Sequence, residues 1–196
     1  MTQAKLASFE EYLAHSNQWN LEGRYELIDG ALVELPPESR FNSTIAVRIL
    51  LLLIAAGTPV ELVHPGKCEV QVPVLQAGDA ANRFPDLVVL RPEHLALTQR
   101  RLTITRDMPP PLLIVEVVSP GSANQQRDYQ RKRQQYEVLG VLEYWLVDPA
   151  LQTVTVLHLQ SSGYRETGSF QGQDAILSPA FPSLSLTAEQ LFSTES

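Results

Sequence analysis

Cysteine is almost absent from this chain, and its scarcity excludes several classes of protein. Only Cys68 is present, so no internal disulfide can form, and a reducing cytosolic compartment is expected. No Gly-x-Ser-x-Gly segment, Walker-type phosphate loop or dinucleotide-binding glycine pattern occurs, which leaves a nucleophilic hydrolase or a nucleotide-binding enzyme without support. The histidines also lack the spacing of a metal motif; they are His15, His64, His94 and His158.

Positive charge and long apolar runs are scarce as well. The 15 Lys and Arg residues are outnumbered by 22 Asp and Glu, so the net charge is -7 and nucleic acid would need a local basic patch. The most apolar run, Ile49 to Ala56, is too short to cross a bilayer, and the N-terminus with Glu10 and Glu11 has no signal-peptide pattern. These features predict a soluble, cytoplasmic protein, and a length of 196 residues predicts one domain covering residues 1–196.

The stretch from Leu112 to Asp148 has the pattern of a strand, a helix and a second strand. Leu112 to Val118 is continuously apolar and rich in branched residues, which favours a buried strand. Ser122 and Gln125 have capping-box spacing for a helix over 122–139, and Gly140 is a natural helix stop before the strand Val141 to Val147. Such a unit predicts two parallel strands joined by a crossover helix.

The rest of the chain predicts further strands and helices around this unit. Asp29-Gly30 is a strong two-residue hairpin signal for Arg24 to Leu35, and Ser8 with Glu11 has capping-box spacing for a helix at 8–16. Asn42 or Ser43 is expected to start a helix running to Ala56. Further strands are predicted at 58–64, 67–74 and 87–90, a second hairpin at 153–170, and a short strand with a terminal helical turn at 181–192.

These elements predict an α/β fold. We expect a mixed central sheet that carries Asp86 and Glu116, flanked by the 43–56 and 122–139 helices and extended by the N- and C-terminal hairpins.

Two carboxylates lie where a metal site is plausible. Glu116 is inside the buried strand, where an unpaired charge is costly, and Asp86 follows Pro85 at the start of the strand Leu87 to Leu90. Two converging carboxylates would suit Mg²⁺, and a nearby lysine could orient a water or neutralise phosphate charge. The structural alternatives are that Asp86 only shapes a turn and that Glu116 only forms a salt bridge to Lys132 or an arginine.

The predicted helix carries Asp128, Lys132 and Tyr136 at i, i+4 and i+8, so these three residues share one face. The alternatives are a solvated ion pair between Asp128 and Lys132 and a core position for Tyr136. Four basic residues of this helix would form either a phosphate-binding strip or an ordinary polar face; they are Arg127, Arg131, Lys132 and Arg133.

Six segments together resemble the Uma-type putative restriction endonuclease family of the PD-(D/E)XK nuclease superfamily. They are FPDLVVL, LLIVEVVSP, RDYQRKRQQY, GVLEYWLVDP, the YELIDG of residues 25–30 and the FPSL near the end, so the resemblance covers nearly the whole chain. It implies a restriction-endonuclease-like core and cleavage of DNA, expected to be double-stranded, with Mg²⁺ or Mn²⁺. It is also compatible with a homodimer, and no membrane partner is expected.

The resemblance also implies roles for single residues. Asp86 would be the acid of the first half-motif and Glu116 that of the second, together binding the metal with a main-chain carbonyl near Val117. Val118 stands where the second half-motif has lysine, and Lys132 on the helix would replace it.

Three further positions match the family less directly. Tyr136 would support the lysine or a phosphate, and Glu26 would be an outer metal ligand. Asn42 stands where members often carry histidine, so no role is assigned to it.

The leading prediction is therefore a metal-dependent endonuclease that uses Asp86, Glu116, Lys132 and Tyr136. A second hypothesis is a nuclease-fold protein that binds nucleic acid or a protein partner without cleavage, and a third is a scaffold in which Glu116 is only salt-bridged. The distance between Lys132 and Glu116 distinguishes the first two, because a lysine pointing to solvent would leave the site without its cation.

Overall fold

The computed structural model describes residues 6–16, 23–119, 121 and 127–193, which have a mixed α/β architecture. None of the helices in these ranges is long and apolar enough to cross a membrane. The elements in chain order are α1 (Phe9–Ser16), β1 (Tyr25–Ile28), β2 (Ala31–Glu34), α2 (Arg40–Ala55), a 3₁₀ turn (Val60–Leu62), β3 (Val63–Pro65), β4 (Glu69–Gln71), β5 (Asn82–Arg83), β6 (Leu87–Val89), α3 (His94–Leu97), β7 (Thr103–Ile104), β8 (Leu113–Val117), a π-helical turn (Arg127–Lys132), α4 (Arg133–Leu139), β9 (Glu143–Asp148), β10 (Thr153–Gln160), β11 (Gly163–Gln171) and α5 (Ala188–Phe192).

A six-stranded mixed sheet forms the centre of the fold, in the order β11-β10-β9-β8-β6-β3. β8 and β9 are parallel neighbours, and the other adjacent pairs are antiparallel. Every residue of β8 and β9 is buried, as expected for strands covered on both faces. The predicted pair of buried parallel strands is confirmed, and Glu116 lies within β8.

The helix between β8 and β9 ends where the sequence predicts. Gly140 follows it in the left-handed conformation, with a φ of 90° that favours glycine. The first described part is a π-helical turn that carries Asp128 and Lys132; such wide turns are rare and occur often at functional sites. Residues 122–126, with the predicted cap residues Ser122 and Gln125, lie outside the described residues.

The N-terminal hairpin forms as predicted, but it does not extend the central sheet. Asp29 and Gly30 both have positive φ, at 49° and 83°, as a tight hairpin turn requires. β1 and β2 make a separate two-stranded sheet, and the main chain of Leu27 bonds instead to Ala81 and to the Asn82 side chain. The hairpin therefore packs beside a small sheet of order β5-β4-β7, whereas the C-terminal hairpin β10–β11 does extend the main sheet.

Other predicted boundaries shift for local reasons. α2 begins at Arg40 because the Ser39 hydroxyl accepts a hydrogen bond from the Asn42 N–H at 3.0 Å, which makes Ser39 the N-cap. Residues 60–62 form a 3₁₀ turn rather than a strand, and β3 and β4 join different sheets. The helical turn predicted within 181–192 forms as α5, but in the described residues the short strand predicted with it is reduced to one bridge between Ala175 and Thr187.

Candidate active site

A pocket of about 240 Å³ lies where the N-terminal hairpin, the start of α2 and the ends of β6 and β8 meet the helical segment 127–139. Carboxylates dominate its charged lining. The acidic residues are Glu26, Glu38, Asp86, Glu116 and Asp128, and the basic residues are Arg24 and Lys132.

Strand register brings Asp86 and Glu116 to one face of the sheet. β6 and β8 are antiparallel with Leu87 opposite Val115, and one more step of that register places Asp86 opposite Glu116. The Asp86 Oδ2 accepts a hydrogen bond from the Val117 N–H at 2.7 Å. Both side chains are buried, and both line the pocket.

Burial and mutual repulsion make this carboxylate pair costly to ionise. Desolvation, together with the negative charge of Glu116, raises the pKa of Asp86 to about 8. Burial also raises the pKa of Glu116, although the positive charge of Lys132 opposes that shift. Such a pair favours a proton or a cation between its members.

Lys132 supplies a cation to Glu116 from the helix. Its Nζ lies 2.6 Å from Glu116 Oε2 and 3.0 Å from Asp128 Oδ1. The lysine residue is only 7% exposed, so the pair with Asp128 is not a solvated surface pair. Val118, at the position where the motif would have lysine, is buried in the hydrophobic core.

Tyr136 holds the second oxygen of Glu116. Its hydroxyl donates to Glu116 Oε1 at 2.7 Å, and its ring packs edge-on against Tyr144 with 5.2 Å between centroids. Complete burial raises the pKa of the Tyr136 hydroxyl well above its usual value, so the group remains a hydrogen-bond donor. Tyr136 is thus both a core residue and a partner of the buried carboxylate.

Glu26 reaches the same pocket but is held by two residues that the sequence did not single out as site residues. Arg83 Nη1 lies 2.9 Å from Glu26 Oε2, and the same guanidinium donates to Gln135 Oε1 at 3.0 Å and 2.9 Å. Gln135 in turn donates to the carbonyls of Pro73 and Ala80. The outer metal-ligand role of Glu26 stays a prediction.

The remaining sequence candidates lie at the edge of the pocket or away from it. Asn42 donates to Glu38 and Ser119, two residues that line the pocket. Arg131 donates to the carbonyl of Gly78, and Lys132 points inward to Glu116, so Lys132 is not part of a solvent-facing strip. A phosphate-binding role for the other basic residues of this helix stays a prediction. The Arg127 side chain lies outside the described part of the chain.

The carboxylates that could hold a metal ion are mainly Asp86 and Glu116. In the described ranges, no three His, Cys, Asp or Glu side chains form a group arranged to hold a metal ion. Mg²⁺ commonly uses one or two protein carboxylates and keeps several waters, so a site of two carboxylates suits it.

Comparison with known proteins adds a family and a fold. A family model named Uma2 and described as "Putative restriction endonuclease" matches residues 9–189. The crystal structure of a putative nuclease belonging to DUF820, from Anabaena variabilis ATCC 29413, is 20% identical in sequence, with a TM-score of 0.64 over 94% of this chain and 97% of that one. No curated protein matches the chain.

Proposed function

This chain belongs to the Uma2 family of putative restriction endonucleases, as its motifs predicted, and we propose that it hydrolyses phosphodiester bonds of DNA with Mg²⁺ in the pocket formed around Asp86 and Glu116. The putative nuclease from Anabaena variabilis has the same fold. The observation that carries the proposal is the 2.6 Å contact between Lys132 and Glu116, because it supplies from the helix the cation that Val118 cannot provide.

The carboxylate pair fits a divalent metal. Asp86 and Glu116 would hold Mg²⁺ or Mn²⁺ with the Val117 carbonyl, and Glu26 would be an outer ligand. The cation would offset the repulsion that raises the pKa of Asp86 to about 8. A bound metal would polarise the phosphate and lower the pKa of a coordinated water.

The residues around the pair have separate tasks in this proposal. Lys132 orients the attacking water and offsets charge that develops on the phosphate. Asp128, 3.0 Å from the ammonium, helps to hold the lysine in place, and Tyr136 fixes the orientation of Glu116. These contacts leave the lysine few alternative positions.

A second function is binding of nucleic acid or a protein without cleavage. The acidic lining of the pocket favours it, and so does the pairing of Lys132 with two carboxylates, which neutralises its charge. The sequence criterion was whether the lysine reaches Glu116 or points to solvent, and the short contact supports cleavage by that criterion. The scaffold hypothesis, in which Glu116 is only salt-bridged, would be supported if the protein had no affinity for Mg²⁺.

Nicking of supercoiled plasmid tests the proposal. We expect cleavage with Mg²⁺ or Mn²⁺ and none with EDTA. Glu116→Gln and Lys132→Ala should each lower the rate by about 100-fold or more, because the first removes a proposed metal ligand and the second removes the group that orients the attacking water. Glu166→Gln and Lys67→Ala are matched controls at exposed positions and should keep full activity.

Two results would contradict cleavage at this site. Site variants as active as the controls would place the activity elsewhere. A folded wild-type protein that binds DNA but never cuts it, with either metal, would favour the binding function.

A further inference from the structure

The acidic lining of the pocket would repel a polyanionic substrate such as DNA. Five carboxylates line it against two basic side chains, Arg24 and Lys132. The net charge of -7 provides no long-range attraction for nucleic acid. The proposed metal ion would serve the phosphate being cleaved, and the neighbouring phosphates of the substrate would need a further cation at the pocket.

The buried cations at the site are already engaged by the protein. Lys132 bridges Glu116 and Asp128. Arg83 lies behind the pocket, with its side chain 4% exposed, and is held by Glu26 and Gln135. In the proposed function Lys132 serves the reacting phosphate from this position, and neither side chain can move to a neighbouring phosphate without leaving a buried carboxylate unpaired.

Arg24 differs from both in its position and its contacts. It is two residues before Glu26, so both side chains project from the same side of the extended chain, and both line the pocket. Its main chain is held at the open end of the hairpin, because the Leu35 N–H donates to the Arg24 carbonyl at 2.8 Å.

The guanidinium of Arg24 is only weakly engaged. It is half-buried and donates to the Pro36 carbonyl over a long 3.4 Å. Within the described ranges, no carboxylate forms a salt bridge with it, whereas Arg83, Arg101, Arg131 and Lys132 all have one.

We propose that Arg24 is a substrate-binding residue that contacts a DNA phosphate next to the one being cleaved. This inference rests on the proposed nuclease function and adds the residue that admits a polyanion to an acidic pocket. A guanidinium suits this task because its planar fork can donate two parallel hydrogen bonds to phosphate oxygens.

Steady-state cleavage of an oligonucleotide duplex over a range of salt concentrations tests the proposal. Arg24→Gln should raise KM by about tenfold or more and leave kcat within about twofold, since a charged hydrogen bond to bound substrate is lost. The slope of log KM against log salt should fall by about one, as expected for one lost phosphate contact. Arg24→Lys, which keeps the charge but not the fork, should lie between Arg24→Gln and wild type.

Arg165→Gln is the matched control, because it removes one positive charge at an exposed position of β11. It should leave KM and the salt slope at wild-type values. Equal effects of Arg24→Gln and Arg165→Gln would overturn the role of Arg24 and leave the nuclease function standing.

Binding of the same fluorescein-labelled duplex with Ca²⁺ in place of Mg²⁺ separates the two proposals. In one outcome the wild-type protein binds the duplex without ever cutting it, and Arg24→Gln weakens this binding while Arg165→Gln does not. That result would support the phosphate contact and refute the nuclease function. Binding that is unchanged in Arg24→Gln refutes the contact, and a protein that neither cuts nor binds refutes both.

Discussion

Glu116 is the residue around which the site is organised, because both of its oxygens have a partner in the protein. Lys132 contacts one oxygen at 2.6 Å and the Tyr136 hydroxyl donates to the other at 2.7 Å. These contacts offset part of the free-energy cost of burying a carboxylate in β8. The same contacts fix its orientation toward Asp86 and the pocket.

Removal of the lysine should therefore leave a buried charge without compensation. Lys132→Met is expected to lower the free energy of unfolding by about 3–5 kcal/mol at pH 8 without metal, whereas Lys132→Met combined with Glu116→Gln should recover part of that loss. Urea denaturation of both single variants and the double variant measures the coupling. Strictly additive effects would show that the two side chains do not stabilise each other.

The raised pKa of Asp86 makes the stability of the metal-free protein depend on pH. Its pKa is about 8 in the folded chain against an ordinary 3.8. Between these two pH values the folded state therefore retains a proton that the unfolded state has lost. Stability should then fall as pH rises from about 4 to about 8, by up to about 1.4 kcal/mol per pH unit from this group.

Urea denaturation in EDTA at several pH values measures that dependence. Asp86→Asn should reduce the slope and be more stable than wild type at pH 8. The slope should not vanish, because the pKa of Glu116 is also raised. Ionisation of Glu116 therefore also lowers the stability as the pH rises. Equal slopes in wild type and Asp86→Asn would show that Asp86 ionises normally in the folded state.

At the scale of elements, Arg83 connects the N-terminal hairpin to the helix that carries Lys132. It bonds Glu26 of β1 and Gln135 of α4, and its side chain and that of Glu26 are 4% and 9% exposed. The hairpin forms a sheet of its own, so this buried pair is one of its main polar connections to the core.

Arg83→Met should thus destabilise the protein by about 3–5 kcal/mol, because Glu26 would be left buried and unpaired. Arg83→Met combined with Glu26→Gln should be less destabilised than Arg83→Met alone. Thermal or urea denaturation distinguishes these cases, with Arg165→Met as the exposed control. A loss no larger than in that control would argue against a connecting role for the pair.

Elements with strong local signals could be predicted from the sequence. The apolar run of β8, the Asp29-Gly30 turn and the helix stop at Gly140 each depend on a few adjacent residues. The start of α2 was predicted at Asn42 or Ser43, whereas Ser39 is its N-cap. Serine and asparagine can both cap a helix, so residue type alone does not select among these positions.

Sheet membership depends on pairing between distant residues, which periodicity does not encode. The sequence therefore did not assign β3 and β4 to different sheets or separate the hairpin β1–β2 from the central sheet.

In the candidate site, too, some residues have a local sequence signal and others are brought in only by contacts between distant parts of the chain. Lys132 and Tyr136 could be predicted because helical spacing sets their common face, and Glu116 because a buried strand makes its charge conspicuous. Arg83 and Gln135 are 52 residues apart in sequence, so only packing brings them together. Arg24 has no local signal beyond its place beside Glu26.

At the scale of the whole molecule, a single domain stays a prediction. The larger of the two core clusters in the described residues extends from α2 through the central sheet to α5, and one cooperative unfolding transition is expected. Scanning calorimetry at two protein concentrations measures this. Two separated transitions would contradict a single domain, and a midpoint that rises with concentration would support the predicted homodimer.

The most direct test of the metal-dependent site is equilibrium binding of Mn²⁺, followed by the electron paramagnetic resonance of the free ion. Wild type and Glu166→Gln should each show one saturable site per chain, and Asp86→Asn and Glu116→Gln should each lose it. A wild-type protein without saturable binding, or binding that survives in both site variants, would contradict the assignment of Asp86 and Glu116 as metal ligands.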